Sequence, residues 1–349
     1  MTLAAAIRTR DVALLPSRRD EGGRWTDLRG LLRTLPAASP AGGAVAPGGP
    51  WADVPADEFL VLNGAHQHGP GLIRVAEGDS PIARLRWVAT PEARAHAGRA
   101  EVTVAAGGSL LLLESHEGPE SADYVAAAEL AITVGEGARL TRLVMAQDPA
   151  DAVSTSTATV TLAAGASFEQ TVLLSGAKRQ RHETHVQHPG AGASVRMDGA
   201  YVLDGRRHAD LTTTVSHAGR DGITQQLTKG VVSDQARGVF QGRIEVLQGA
   251  DGTDARMGHH ALILSERAEV DALPQLEIYA DDVSCSHGNT VGSLDEEALF
   301  YARSRGIPED AARAMLTEAF VGEVIDRIDH EGARDVALAW LRRRLGAVG

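Results

Sequence analysis

Residues 129–140 read ELAITVGEGARL, an alternating run of apolar and polar side chains followed by a glycine-centred turn. Alternation with a period of two is typical of a strand that buries one face. Similar turns occur at Gly108, Gly137, Gly165 and Gly192, which are 29, 28 and 27 residues apart. The stretch therefore contains one copy of a turn that recurs every 27 to 29 residues.

A repeat of this length, with two to three short strands per interval, predicts a coil that stacks on the previous coil. A single coil would expose an apolar face, and stacking buries that face, where Val, Ile, Leu and Thr pack well. Only 4% of the residues are aromatic, so the core must consist of small and branched side chains. We predict a mainly β fold, a β-helix or related solenoid; an antiparallel sandwich with glycine-rich hairpins is the alternative.

Two regions flank the predicted solenoid. Residues 36–50 read PAASPAGGAVAPGGP, a stretch with little to bury and several Gly and Pro clusters, which is typical of a linker or mobile loop. We expect an N-terminal helical and loop segment with this linker at 1–57, the β-helix core at 58–290, and a C-terminal helical domain at 291–349.

The C-terminal segment changes to helical periodicity. Ser293 followed by Glu296 predicts a capping box and a helix start. Gly306 is suited to end that helix in a left-handed conformation, and Pro308 to the first turn of the next helix. The second helix would place four apolar residues near one face: Met315, Phe320, Val324 and Ile328. A third helix is expected over about 333–345, and the three helices would at minimum cap the open end of the solenoid.

Composition restricts the classes of function. A formal net charge of -12 argues against a general electrostatic grip on nucleic acid or anionic lipid. No run approaches the roughly 20 apolar residues that a membrane-spanning helix needs. One cysteine cannot form an internal disulfide and the N-terminus lacks a secretory pattern, so we expect a cytoplasmic protein. The sequence has no GxxxxGK[ST] phosphate loop, so we expect no ATP hydrolysis by this chain.

The only cysteine, Cys285, lies two residues before His287. Side chains two apart in a strand share a face, so this thiol and imidazole could hold one soft or borderline metal ion. A tetrahedral zinc or iron site ordinarily needs about four ligands, so the pair is half a site and other donors must come from elsewhere. The alternative is a cysteine that packs as a small hydrophobe beside a hydrogen-bonded histidine.

Five further histidines are interpreted without a ligand role. His182, His185 and His188 are interpreted as mostly structural residues at the surface of a strand edge or turn, and their three-residue spacing would not place all of them on one strand face. His259 and His260 are adjacent, with no cysteine nearby in the sequence.

Three segments carry a resemblance to a known family. Residues 274–307, PQLEIYADDVSCSHGNTVGSLDEEALFYARSRGI, closely resemble the C-terminal signature of the SufB/SufD family of iron-sulfur cluster assembly scaffold proteins. Residues 15–31, LPSRRDEGGRWTDLRGL, resemble an N-terminal motif of this family, and EFLVLNGA at 58–65 is a weaker match. The C-terminal signature is more similar to the SufD branch than to the SufB branch.

The resemblance implies a non-enzymatic scaffold subunit that pairs through its β-helix with a SufB-like paralogue and docks a SufC-like ABC ATPase through its C-terminal helices. By the match to the family signature, Cys285 and His287 are implied to lie in a metal site shared with the partner chain. Iron or a nascent iron-sulfur cluster would be bound there transiently, with none expected on the isolated chain. The candidate residues for ATPase docking are Phe300, Tyr301, Arg303, Arg305, Gly306 and Phe320.

The resemblance leaves several points open. These are the cluster type, the use of reduced flavin by the full complex, and homodimer formation by an isolated chain through the surface offered to the SufB-like partner. Two other functions are alternatives: a purely structural subunit that only recruits the ATPase, and a β-helix enzyme that acts on polysaccharides. The acidic balance of the chain is unfavourable for binding acidic glycans.

Overall fold

A computed structural model describes residues 1–43, 45, 47–68 and 71–348. In this part of the chain, eighteen strands form two sheets. The strands are β1 (Asp57–Leu62), β2 (Ala65–His68), β3 (Leu72–Val75), β4 (Ile82–Val88), β5 (Ala95–Val104), β6 (Ser109–Glu117), β7 (Val125–Val134), β8 (Arg139–Gln147), β9 (Val153–Leu162), β10 (Ser167–Leu174), β11 (Arg179–His188), β12 (Ser194–Leu203), β13 (His208–His217), β14 (Ile223–Val232), β15 (Arg237–Val246), β16 (Asp254–Ile263), β17 (Glu269–Ile278) and β18 (Ser284–Gly292).

From β2 onward the chain alternates between the two sheets, so each coil contributes one strand to each. The ten-stranded sheet has the order β18-β16-β14-β12-β10-β8-β6-β4-β1-β2, and the eight-stranded sheet has the order β17-β15-β13-β11-β9-β7-β5-β3. Neighbouring strands are parallel, except for the antiparallel pair of β1 and β2. The predicted β-helix is confirmed, with two strands per coil, and the parallel pairing rules out the antiparallel sandwich.

The glycine turns of successive coils lie above one another in the stacked solenoid. Gly137 and Gly165 have φ angles of 61° and 62°, in the left-handed region that favours glycine. The backbone N–H of Gly137 donates to the carbonyl of Ala164 at 3.0 Å, so turns of successive coils are hydrogen-bonded to each other. In the earliest of the predicted turns the left-handed residue is Gly107, one position before the expected Gly108.

The interior of the solenoid is mostly aliphatic but contains a polar cluster. Glu114 accepts hydrogen bonds from Arg142 Nε at 2.7 Å, Trp87 Nε1 at 3.1 Å and the His116 ring at 2.9 Å. Burial opposes ionisation of Glu114, but Arg142 and His116 outweigh it and hold the pKa of this carboxyl well below its ordinary value. An isolated carboxylate would be very costly here, so the paired donors are what allow it inside the core.

The N-terminal segment wraps around the solenoid. It contains the helices α1 (Leu3–Thr9) and α2 (Leu28–Leu31) and short 3₁₀ turns. Residues of α1 pack on the outer face of the eight-stranded sheet, whereas Trp51 is buried near the ten-stranded sheet and donates from Nε1 to the carbonyl of Glu114 at 2.9 Å. Residues 44 and 46 of the predicted linker lie outside the described residues.

Within described residues 291–348 three C-terminal helices are present, as predicted: α3 (Glu296–Ser304), α4 (Glu309–Ile325) and α5 (Glu331–Val348). The cap of α3 is Asp295, whose carboxylate accepts from the N–H groups of Glu297 and Ala298, so the predicted Ser293 cap is wrong. Pro308 is the N-cap of α4 and lies just before its first turn. Gly306 has a φ of 86°, which confirms the predicted left-handed end of α3.

The helices do not cap the end of the solenoid, so that prediction is wrong. α4 and α5 lie on the outer face of the ten-stranded sheet, where Val324, Trp340 and Leu341 pack against outward-facing side chains such as Met145 and Val202. These strands are apolar on both faces, and the outer face must also be buried. Of the four residues expected on one face of α4 and beyond, Met315 is 56% exposed, while Phe320, Val324 and Ile328 face the sheet.

None of the helices in the described ranges is long and apolar enough to cross a membrane.

Candidate partner-binding and metal-ligand site

The last coil leaves one end of the solenoid open. β17 and β18 are the terminal strands of their sheets, and in the described part of the chain each pairs on one side only. Ile278, Tyr279 and Val291 on or beside these strands are all more than 40% exposed. Unpaired strand edges with exposed apolar side chains are ready templates for pairing with another chain.

Cys285 and His287 lie on β18 and project into this open end. In the parallel register Cys285 is opposite Ala255, and His287 is opposite Met257. Ala255 and Met257 are buried inside the solenoid, so their partners on β18 also face the interior side. Because no further coil covers β18 in the part of the chain that the structure describes, Cys285 is only partly buried and His287 is exposed.

The Cys285 thiol is not activated in the chain alone. It contacts an apolar cluster that includes Phe240 and Met257. Burial raises the pKa of this thiol, the Asp254 carboxylate adds to the rise, and a backbone hydrogen bond at Ala255 opposes it. The thiolate is the form that binds metals. A metal ion or another positive group must therefore displace the proton of the Cys285 thiol before this side chain can act as a ligand.

Asn289 is a third polar side chain on the inward-facing side of β18, in a row with Cys285 and His287. It was not identified from the sequence. Its Oδ1 lies 2.7 Å from Nδ1 of His259, and Nε2 of His259 lies 2.9 Å from the Tyr201 hydroxyl. An amide oxygen only accepts, so Nδ1 carries the proton and Tyr201 donates to Nε2. Burial lowers the pKa of His259 to about 4, which keeps the ring neutral. The signal available in the sequence was spacing, since Asn289 is two residues after His287.

The described residues contain no group of three or more His, Cys, Asp and Glu side chains that could hold a metal ion. Cys285 and His287 therefore supply two donors, and Asn289 adds an amide in the same row. Metal centres of iron or zinc commonly use about four ligands. An ion at this end would need donors from outside the described residues.

The histidines of β11 are divided between its two faces. His182 and His188 are buried inside the solenoid, so the prediction that they lie at the surface is wrong, whereas His185 faces outward. His188 contacts His217 with ring centroids 4.6 Å apart, and His182 contacts His116 at 4.7 Å. Their separation in the structure follows from the strand period of two.

The candidate docking residues of the helical region fall into two groups. Phe300 is 73% exposed and Tyr301 is 60% exposed on α3, and the Arg305 guanidinium lies 5.1 Å from the centroid of the Tyr301 ring. Arg303 is also exposed and pairs with Glu309 at 3.3 Å, next to the left-handed turn at Gly306. Phe320 is separate from this patch.

Phe320 faces the ten-stranded sheet instead of solvent. Lys229 Nζ lies 4.4 Å from the centroid of the Phe320 ring and 2.7 Å from Glu323 Oε2. A cation over an aromatic ring and a partly desolvated ion pair both favour attachment of α4 to β14.

The profile of a protein family described as "SUF system FeS cluster assembly, SufBD core domain" matches residues 87–320, about two thirds of the chain. The chain belongs to the SufBD family.

Curated relatives agree with this assignment. The SufBD chain is 41% identical over 179 residues to the iron-sulfur cluster assembly protein SufD of Escherichia coli strain K12, covering 51% of this chain and 42% of that protein. It is 37% identical over 153 residues to an iron-sulfur cluster assembly SufBD family protein of Synechocystis sp. PCC 6803, covering 44% and 34%. It is 32% identical over 141 residues to SufD of Bacillus subtilis strain 168, covering 40% and 32%. The matched part of the chain spans less than half the length of these relatives.

The SufBD match contains the open end of the solenoid. Cys285, His287 and Asn289, together with α3, lie within residues 87–320. The N-terminal segment and α5 lie outside the matched range.

Proposed function

We propose that this chain is a non-catalytic, cytoplasmic scaffold subunit for iron-sulfur cluster assembly. The observation that carries the proposal is the open end of the solenoid, where the last inward-facing row presents Cys285, His287 and Asn289 beside two unpaired strand edges. Membership of the SufBD family supports this assignment.

The proposed partner at this end is a SufB-like paralogue with a similar β-helix. Strand addition would satisfy the main-chain groups of β17 and β18 and cover the exposed side chains of Ile278 and Val291. The partner would also supply the donors that complete a ligand set with Cys285 and His287. Iron or a nascent cluster is the cargo of this shared site, and it would remain there transiently.

The proposed second partner is a SufC-like ABC ATPase that docks on the helices. Phe300 and Tyr301 form an exposed aromatic pair, and the cationic side chains of Arg303 and Arg305 lie beside it. Because α4 and α5 are packed on β12 and β14, a displacement of the helices by the ATPase would act directly on the ten-stranded sheet. We infer that this sheet carries the movement to β18.

Anaerobic co-expression with SufB-like and SufC-like partners tests the proposal, with pull-down, visible absorption and iron counting as readouts. The intact chain should retain both partners and bind iron in the complex, and flavin absorption in the same spectra tests for a flavin requirement. His287→Ala should lower bound iron with the partners still present, while His260→Ala on the outer face of β16 should not. If His287→Ala complexes assemble clusters normally, the ligand role is rejected.

A purely structural subunit is the second candidate, and the raised pKa and apolar contacts of Cys285 favour it. In that case substitutions of Cys285 and His287 are silent, while a Phe300→Ala/Tyr301→Ala double variant loses the ATPase. Deletion of the helices is a poor test, because it would expose the apolar sheet face around Met145 and Val202. Size measurement of the purified chain shows whether it forms a homodimer without its partners.

A further inference from the structure

A cavity of about 400 Å³ lies between the N-terminal segment and the outer face of the eight-stranded sheet. Gly22 and Thr26 contribute to the N-terminal wall, and Thr157, Arg181 and Thr214 to the sheet wall. The row of Cys285 and His287 faces the solenoid interior, so this cavity is a different place in the fold. Its volume is within the range of small-molecule sites in proteins.

The acidic side chains at the sheet wall are already engaged. Asp210 is fully buried and accepts from the Thr26 hydroxyl at 2.5 Å, from Arg181 Nη1 at 2.8 Å and from Gln241 at 3.1 Å. Glu183 accepts from Arg181 Nε and from the His185 ring. Burial opposes ionisation of Glu183, but His185 and Arg181 outweigh it and hold its pKa below the ordinary value. Both carboxylates therefore already accept hydrogen bonds from protein partners, and they share the guanidinium of Arg181.

The acids of the N-terminal wall are engaged as well. Glu21 accepts from Arg243 Nη2 at 2.6 Å, and Asp20 accepts from the backbone N–H and the hydroxyl of Ser17 at 2.7 and 3.0 Å. These two acids of the N-terminal wall therefore also have protein partners.

The donors of the sheet wall are not fully used. The Arg181 side chain is about nine-tenths buried, and its Nε and Nη1 atoms donate hydrogen bonds, whereas Nη2 makes none among the residues that the structure describes. Nη2 would lie 3.4 Å from a Cβ built on Gly22, which places it at the N-terminal wall of the cavity. The hydroxyls of Thr155, Thr157 and Thr214 also line the cavity and make no side-chain hydrogen bond in the described ranges.

We propose that this cavity binds a small organic anion through a carboxylate or phosphate group. Arg181 Nη2 would donate to the anionic oxygens, and the hydroxyls of Thr157 and Thr214 would complete the contact from the adjacent strands β9 and β13. Charge-assisted hydrogen bonds from a partly desolvated guanidinium are the strong ones, and arginine suits both carboxylate and phosphate. The ligand would join the N-terminal segment to the solenoid, because the two walls belong to these two parts.

Isothermal titration of the purified full chain tests the site, with citrate and inorganic phosphate as the two anionic probes and glycerol as a neutral probe. At least one anion should bind saturably at millimolar or lower concentration, and glycerol should not. The stronger anion distinguishes a carboxylate site from a phosphate site. The thermal midpoint of unfolding should rise with the binding anion and not with glycerol, since a ligand that binds only the folded state stabilises it.

Variants then assign the binding to the cavity. A Thr157→Val/Thr214→Val pair keeps side-chain shape, should leave the fold intact, and should weaken anion binding by about tenfold, equivalent to about 1.4 kcal/mol. Thr159→Val is the matched control, because Thr159 lies on the same face of β9 but is exposed and not part of the lining. Gly22→Leu approaches from the opposite wall, next to Arg181 Nη2, and should block binding. Saturation absent for both anions to about 10 mM, or equal affinity in all three variants, would overturn the proposal.

Discussion

Nδ1 of His259 and Oδ1 of Asn289 lie 2.7 Å apart on adjacent parallel strands, and this contact ties the solenoid interior to its open end. The ring of His259 is also stacked on Phe240, with centroids 4.7 Å apart and planes 1° from parallel. The Asn289 amide is therefore held from inside while its other atoms face the proposed partner.

Replacement of His259 should release Asn289. His259→Leu removes the donor to Asn289 and leaves the buried Tyr201 hydroxyl without its acceptor, so we expect a loss of about 1–3 kcal/mol in the free energy of unfolding. Nuclear magnetic resonance should show altered side-chain amide signals of Asn289. His260→Leu is the matched control: it is adjacent, lies on the outer face, and bonds the exposed Thr290 at 2.7 Å. Equal effects of the two variants on Asn289 would contradict the contact.

Trp340 should be the main aromatic anchor of the helical region. It is fully buried between α5 and the ten-stranded sheet, and its Nε1 donates to the Ser175 hydroxyl at 3.1 Å. Trp340→Ala should lower the free energy of unfolding by about 3–5 kcal/mol, measured by urea denaturation. The exposed Phe300→Ala should change it by less than about 0.5 kcal/mol. A large effect of Phe300→Ala would place that ring in the core and remove it from the proposed docking patch.

Two glycines should respond to alanine with opposite signs. An added Cβ meets nothing within 4 Å at either Gly137 or Gly322, so sterics with neighbours do not decide the outcome. Gly137 has a left-handed φ of 61°, and Gly137→Ala should destabilise by about 1 kcal/mol. Gly322 is inside α4, and Gly322→Ala should stabilise by about 0.5–1 kcal/mol. Thermal unfolding midpoints measure both, and a shift in the same direction would contradict the assigned backbone conformations.

Buried histidines should make stability fall on mild acidification. Burial lowers the pKa of His96, His208 and His259 to about 4 and that of His217 to about 3. Between pH 6.5 and about 4.5 the unfolded chain therefore binds protons that the folded chain does not, and the free energy of unfolding must decrease as pH falls. Each such histidine contributes up to about 1.4 kcal/mol per pH unit.

One carboxyl acts in the opposite direction. Burial raises the pKa of Asp198 to about 6 although Arg327 lies 3.1 Å away, so this group takes up its proton first in the folded state. The four histidines outnumber this one carboxyl, so the free energy of unfolding should still decrease as the pH falls. Urea titrations at several pH values test this, and His217→Gln should reduce the slope by about one histidine's share. A flat or rising stability on acidification to pH 5 would show that these rings are not buried and neutral.

Much of the fold could be predicted because its determinants are local. The glycine spacing and the alternation of ELAITVG at 129–135 act within one coil, and each coil repeats them. The place of the helices could not be predicted in this way. Their binding surface is made of outward-facing residues from separate coils, such as Met145 and Val202, so no continuous stretch of sequence shows it.

The sequence by itself determined the β-helix, its repeat length, the three C-terminal helices, and the placement of Cys285 and His287 on one strand face, because all of these follow from residue spacing within a segment. Only the tertiary structure decided that this face lies at an open end and that His259 holds Asn289. The cavity beside Arg181 likewise depends on the tertiary structure, because its walls come from the N-terminal segment and the eight-stranded sheet. These features join residues roughly one coil or more apart in sequence, and they meet only because parallel coils stack in register and leave the last one uncovered.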